Sequence, residues 1–184
     1  MIHQVLPAIA GELSEFLQAR FGISEDQIVL GNIVNQDGSL AVEGNKLVIS
    51  LINIDRDGTK GSGSSATSNG TPPVYINLYV MFAAVYNSSN INNLDYIESL
   101  KIISGVIGFF QGQNSFDHHN APEWPDGCNK VIMEIEDIEF RELVNLWSQF
   151  GAKYVPSVVY KVRTLNMNED LIVDEIPAIT GITT

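Results

Sequence analysis

The chain has 184 residues, 45% of them hydrophobic, and a formal net charge of −12. That composition suffices for one globular core, and its acidity argues against nucleic acid or an anionic membrane surface, both of which need clustered Lys and Arg. A single cysteine, Cys128, excludes an internal disulfide framework and fits a reducing compartment. No run of about 18 apolar residues is present, so no membrane-spanning helix is expected. Met1-Ile2-His3-Gln4 lacks the basic start of a signal peptide.

Residues 5–21 read as an amphipathic helix. Leu6, Ile9, Leu13, Phe16 and Leu17 share one face. Pro7 is expected in the first turn, where its missing N–H costs nothing, and Gly22 is a suitable stop. A short strand is predicted at residues 27–30, a loop at 35–39 and a second strand at 45–54. Residues 55–73 hold no large apolar side chain, and 57–73 is expected to be a flexible insertion.

Residues 74–86 are almost wholly apolar and rich in aromatic and β-branched side chains, which suits a central strand buried on both faces. The run is long for such a strand, so a bend or bulge is expected within it. Residues 87–90 carry turn chemistry. A helix follows, marked by Leu94, Ile97, Leu100, Ile103, Ile107 and Phe110 at three- and four-residue steps. Tyr96, Ile102, Val106 and Phe109 widen its stripe until burial by more than one neighbour is expected.

Residues 113–127 are irregular by composition. In 130–136, Val131, Met133 and Ile135 alternate with Glu134 and Glu136, as in a half-exposed strand. Asp137 is placed to cap a helix running to Phe150, with Phe140, Leu143, Leu146, Trp147 and Phe150 buried and Gly151 as its stop. Pro156 opens a last strand, with Val158, Tyr160 and Val162 toward the core and Lys161 and Arg163 toward water. The chain is expected to loosen after Leu165 and end in an apolar tail at 171–179. The order α-β-β-β-α-β-α-β predicts a single α+β domain over 1–166, a mostly antiparallel mixed sheet flanked by helices, with a C-terminal tail at 167–184.

Asp117-His118-His119 is the most chemical triplet, and a small metal-dependent hydrolase built on it is the alternative function. A metal phosphoesterase needs further carboxylates on strand ends, and none is patterned upstream, so an ordinary surface loop is the reading. Gly61-Ser62-Gly63-Ser64-Ser65-Ala66 matches a dinucleotide fingerprint in composition, but Pro72 and Pro73 follow where a helix would have to begin. Asp55-Arg56-Asp57-Gly58 lacks the distal glutamate of a calcium loop and reads as a tight turn. Trp124 is a candidate partner-facing residue, whereas Trp147 is spaced for the core. No nucleophile, general base and electrophile come together, so no catalytic residue, cofactor or metal is expected.

Three segments together resemble the cap, or tail-terminator, family of extracellular contractile injection systems, which are phage-tail-like particles. They are residues 72–84, beginning Pro72-Pro73-Val74-Tyr75-Ile76; residues 96–111, with Gly105-Val106-Ile107-Gly108-Phe109-Phe110; and residues 143–163, with Trp147-Ser148-Gln149-Phe150-Gly151. The resemblance implies a non-enzymatic part: a hexameric ring on the end away from the baseplate, closing the inner tube and sheath and fixing particle length. It implies sheath, tube and neighbouring copies as partners, no nucleic acid, no direct membrane insertion, and cytoplasmic assembly into a particle that is released or membrane-anchored. A ring that buries the growing end and offers no equivalent surface beyond it stops growth. Sheath proteins of this class resemble one another in exchanging terminal strands. That makes Leu171, Ile172, Val173 and Ile176 the candidate interface residues, pairing with a neighbouring subunit or the last sheath layer. The other reading is that this tail packs back on its own domain.

Overall fold

A computed structural model describes residues 2–35, 37–58, 74–86, 94–126, 128 and 130–167, the last four of these by backbone alone. Within them lie the helices α1 (Ile2–Phe21), α2 (Leu94–Gly112) and α3 (Phe140–Phe150). The strands are β1 (Ile28–Leu30), β2 (Lys46–Arg56), β3 (Val74–Val85), β4 (Ser115–Phe116), β5 (Val131–Ile135) and β6 (Ser157–Met167). The fold is α+β: one six-stranded mixed sheet in the order β1-β2-β3-β6-β5-β4, with β1 and β2 parallel and every other pair antiparallel. The parallel pair requires a crossover, which runs through residues 31–45 with no helix among the described ones.

β3 is central because its side chains are apolar in both directions. Leu78, Val80, Phe82 and Ala84 enter the larger core, under α1 and α2. Met81, Ala83 and Val85 enter a smaller one on the opposite face, under α3 and Ile33. β6 is read the same way: Tyr160 and Val162 go to the first face, and Val159 to the second. The expected irregularity within β3 falls between Ile76 and Leu78 against β6, and β2 has its own between Leu51 and Asn53.

Several expectations are corrected. α1 begins at Ile2, so Pro7 lies inside the helix, beyond the first turn. The cap of α3 is Glu139, not Asp137. The segment 113–127 is not all irregular. Ser115 and Phe116 pair with β5, and Phe116, Ala121 and Trp124 are buried in the larger core with Cys128. Trp124 is therefore not partner-facing. It stacks on Phe116 at 6.2 Å between ring centroids and donates its indole N–H to the Cys128 carbonyl at 3.1 Å. β6 continues past Leu165 to Met167, pairing with Val74. Gly22 and Gly151 do end their helices, each at φ 67°, where a side chain would be strained. The turn expected at 87–90, nearly all of the insertion 57–73 and the tail from 168 onward lie outside the described residues.

Candidate interaction surfaces

The chemical-looking motifs form no site. Asp117 is held in a turn: its carboxylate accepts the His119 amide at 2.9 Å, and its own amide donates to the Asn120 side chain at 2.9 Å. His118 and His119 point to solvent, and no three His, Cys, Asp or Glu side chains converge in metal-binding geometry among the described residues. Burial pushes the Cys128 thiol up from its ordinary pKa, the opposite of what an activated nucleophile needs. The fingerprint at 61–66 and the candidate interface residues Leu171, Ile172, Val173 and Ile176 lie outside the described residues. Asp57, by contrast, is buried, with its amide donating to the Tyr75 carbonyl.

What the structure presents instead is apolar surface without cover. The first patch is on α3. Leu143, Leu146, Trp147 and Phe150 point toward the sheet, but only Trp147 is buried. Phe140, expected in the core, is 81% exposed, and Val144 is about half exposed beside it. The two stand four residues apart on one flank of the helix. Tyr154 rises on the other side and meets Trp147 edge to face at 5.7 Å. Between them lies a groove of about 570 Å³ lined by Phe140, Leu143, Val144, Trp147, Ala152 and Tyr154. The buried Trp147 indole N–H has no acceptor among the described residues.

The second patch is on α2, at the opposite face of the sheet. Ile102, Ile103, Val106, Phe109 and Phe110 are buried, as the periodicity predicts. Leu94, Tyr96, Ile97, Leu100 and Ile107, expected to be buried with them, are exposed. The reason is that α1 covers one flank of α2 and the sheet its underside, whereas the other flank has no neighbour among the described residues. Tyr96, Leu100, Ile107 and Gln111 recur at that flank with no charged side chain among them. The stripe runs into a groove of about 610 Å³ lined by Ile107, Phe110, Gln111, Met133, Ile135 and Tyr160. Ile135, expected to face the core, is 58% exposed there.

Two strand edges complete the inventory. β4 and Asn114 cover the outer edge of β5 only as far as Met133, leaving Glu134 and Ile135 paired on the β6 side alone among the described residues. β1 covers β2 only from Leu47 to Ile49. Beyond it β2 is exposed over 53–56 and, with the start of β3, forms an arm that carries Ile54 and Val74 at its surface. Sequence reasoning missed these surfaces because it marks which residues are apolar. The usable signal was an excess: both helices carry more apolar residues than one face of one sheet can cover.

Residues 4–181 match the sequence model of a family described as the Pvc16 N-terminal domain. Among solved structures, the chain is similar to the PVC sheath/tube terminator of an extracellular contractile injection system in its extended state, with a TM-score of 0.63 at 16% identity. That likeness covers 100% of this chain and 62% of the other. The chain is also similar to the tube-terminating cap of the anti-feeding prophage, with a TM-score of 0.56 at 12% identity, over 96% of this chain and 59% of that one. At such identities the likeness is one of fold, and this chain spans less than two thirds of either structure. No curated protein matches the sequence.

Proposed function

The chain belongs to the Pvc16 N-terminal domain family, and from that premise we propose that it is a structural cap closing the distal end of the tube and sheath of a contractile injection system. The observation that carries this reading is the fold likeness to a sheath/tube terminator over the whole chain, not over one motif. The surfaces support it. A protein that ends a helical stack must bind the last layer on one side and offer no equivalent surface beyond. Uncovered helix faces and open strand edges serve such binding, and catalysis needs neither.

In this proposal the cap is a hexameric ring, its partners are the last sheath and tube layers together with neighbouring copies, and it is not an enzyme. Assembly takes place in the cytoplasm, before the particle is released or anchored. The tail joins the binding surface: Leu171 and Val173, or Ile172 and Ile176, set the register of a strand added to a neighbouring subunit or to the sheath.

The test is electron microscopy of particles from a strain lacking this protein. Ragged, variable-length tubes and sheaths are expected. Particles of normal length with closed ends would overturn the proposal.

A further inference from the structure

We propose that the groove where the end of α1 crosses α2 is a docking site for an acidic segment of a neighbouring particle subunit, one in which an Asp or Glu stands beside a large apolar side chain. That the partner is a particle subunit rests on the cap reading; the chemistry of the site does not. The groove, of about 360 Å³, lies between Phe16, Arg20 and Phe21 on α1 and Lys101, Gly105 and Gly108 on α2. Gly105 lets Phe21 lie directly against α2, so the ring forms a wall of the groove. Nothing stands within 4 Å of a Cβ built on Gly108, which leaves open space beside that wall. Phe16 and Phe21 are only partly buried, so apolar surface still meets water there.

Charge selects the occupant. The Arg20 guanidinium lies 5.9 Å from the centroids of both the Phe16 and Phe21 rings, and the Lys101 ammonium 5.5 Å from the Phe21 ring. Two cations gather on one ring in a chain with 10 basic residues against 22 acidic ones, so this is a basic spot on an acidic surface. The nearby acids do not cancel it. Glu98 pairs with Lys101 at 3.2 Å, but both side chains are exposed, and water weakens such a bridge. Glu12 lies two turns before Arg20, with Glu15 and Glu123 as its charged neighbours, and Glu15 is about 140° round the helix from Arg20. Beyond α1, Asp26 holds Lys46 at 3.3 Å. Arg20 makes no ion pair among the described residues. A carboxylate in the groove accepts from its guanidinium and from Lys101, while an adjoining apolar side chain covers Phe21 and fills the space at Gly108. The chain's own acid–apolar pairs, Asp170-Leu171 and Glu175-Ile176, fall short of the site. Asp26, five residues past Phe21, reaches Lys46, which pairs with Val85, whereas β6 ends opposite Val74, about 35 Å along β3. Those pairs extend at most about 10 and 30 Å past Met167.

Titration of the ¹⁵N-labelled isolated protein with acetylated, amidated leucyl-glutamyl-leucine tests the site. Saturable amide shifts are expected at Phe21, Lys101, Gly105 and Gly108. The glutamine counterpart of the peptide should bind about tenfold more weakly, the scale of a hydrogen bond to a charged group. Arg20→Gln should weaken the glutamate peptide by a similar factor, and added salt should narrow the gap between the two peptides. Gly108→Leu, which fills the open space, should weaken both. Melting temperatures check that each variant keeps the fold. On the particle, Arg20→Glu/Lys101→Glu is expected to give irregular ends. Equal binding of the two peptides, shifts away from the groove, or closed ends and normal length with the double variant would overturn the proposal. So would tighter peptide binding by a chain truncated after Asn168, which would put the tail in the groove. Normal particles from the deletion strain would overturn the cap reading and with it the partner named here, while the titration decides the site by itself.

Discussion

Gly105 of α2 faces Phe21 of α1 with no room for a methyl group between them. A Cβ built on Gly105 would collide with the Phe21 ring and stand 2.8 Å from Leu17 Cδ2. Leu17 is fully buried, and Phe21 is partly buried. The close crossing of α1 and α2 thus depends on a residue with no side chain.

For Gly105→Ala, relief of the glycine penalty in a helix is worth about 1 kcal/mol, and overpacking costs about 1–3 kcal/mol. The expected net loss is about 1 kcal/mol, and Gly105→Val should lose more. Gly108, three residues on in the same helix, has nothing within 4 Å of its would-be Cβ. Gly108→Ala should therefore stabilise by up to ~1 kcal/mol. Urea midpoints for the three variants check the contrast.

Trp147 is the buried side chain of α3, with Leu143, Leu146 and Phe150 partly buried beside it. Trp147→Ala should cost about 3–5 kcal/mol, as for other large core truncations. Phe140→Ala, on the same helix but mostly exposed, should change stability by no more than ~0.5 kcal/mol. Equal losses at the two positions would mean that Phe140 is packed.

Glu12 on α1 has its pKa raised, first by burial and then by the negative charges of Glu15 and Glu123. A raised carboxyl favours the protonated form in the folded state. The stability it contributes is complete below the unfolded pKa and is lost as pH rises through the folded one. Glu12→Gln should therefore stabilise at neutral pH and lose that advantage in acid. The side chain is mostly solvated, so the gain should be below ~0.5 kcal/mol. Melting temperatures at neutral pH and below the glutamate range test the sign.

Deletion of residues 62–68 should leave the melting temperature nearly unchanged. The segment carries no large apolar side chain, β2 and β3 already pair out to Arg56 and Ile76, and loop length costs little. A loss of several degrees would show that the segment is packed.

Truncation after Asn168 separates the two readings of the tail. Under strand exchange the shortened protein unfolds with normal cooperativity, yet particles end irregularly. A loss of several kcal/mol in the isolated protein, the scale of exposing a few large side chains, would assign the tail to its own core.

Periodicity by itself indicated the class of the fold, the central place of β3 and the presence of three helices, but not where α1 and α3 begin. An apolar run rich in β-branched and aromatic residues suits a strand buried on both faces, and a 3.6-residue apolar repeat suits a helix with one face on a core. Gly22 and Gly151 were legible as helix stops because left-handed backbone is a local requirement. Tertiary structure alone decided what is covered. Phe140 and Trp147 carry the same apolar signature seven residues apart, yet one meets solvent and the other the sheet. Leu100 and Ile103 divide in the same way on α2. Ser115 and Phe116 became a strand only because β5 lay beside them. Sequence states which side chains gain by leaving water; burial needs a second surface, and only the packing of elements distant in the chain shows where that surface exists.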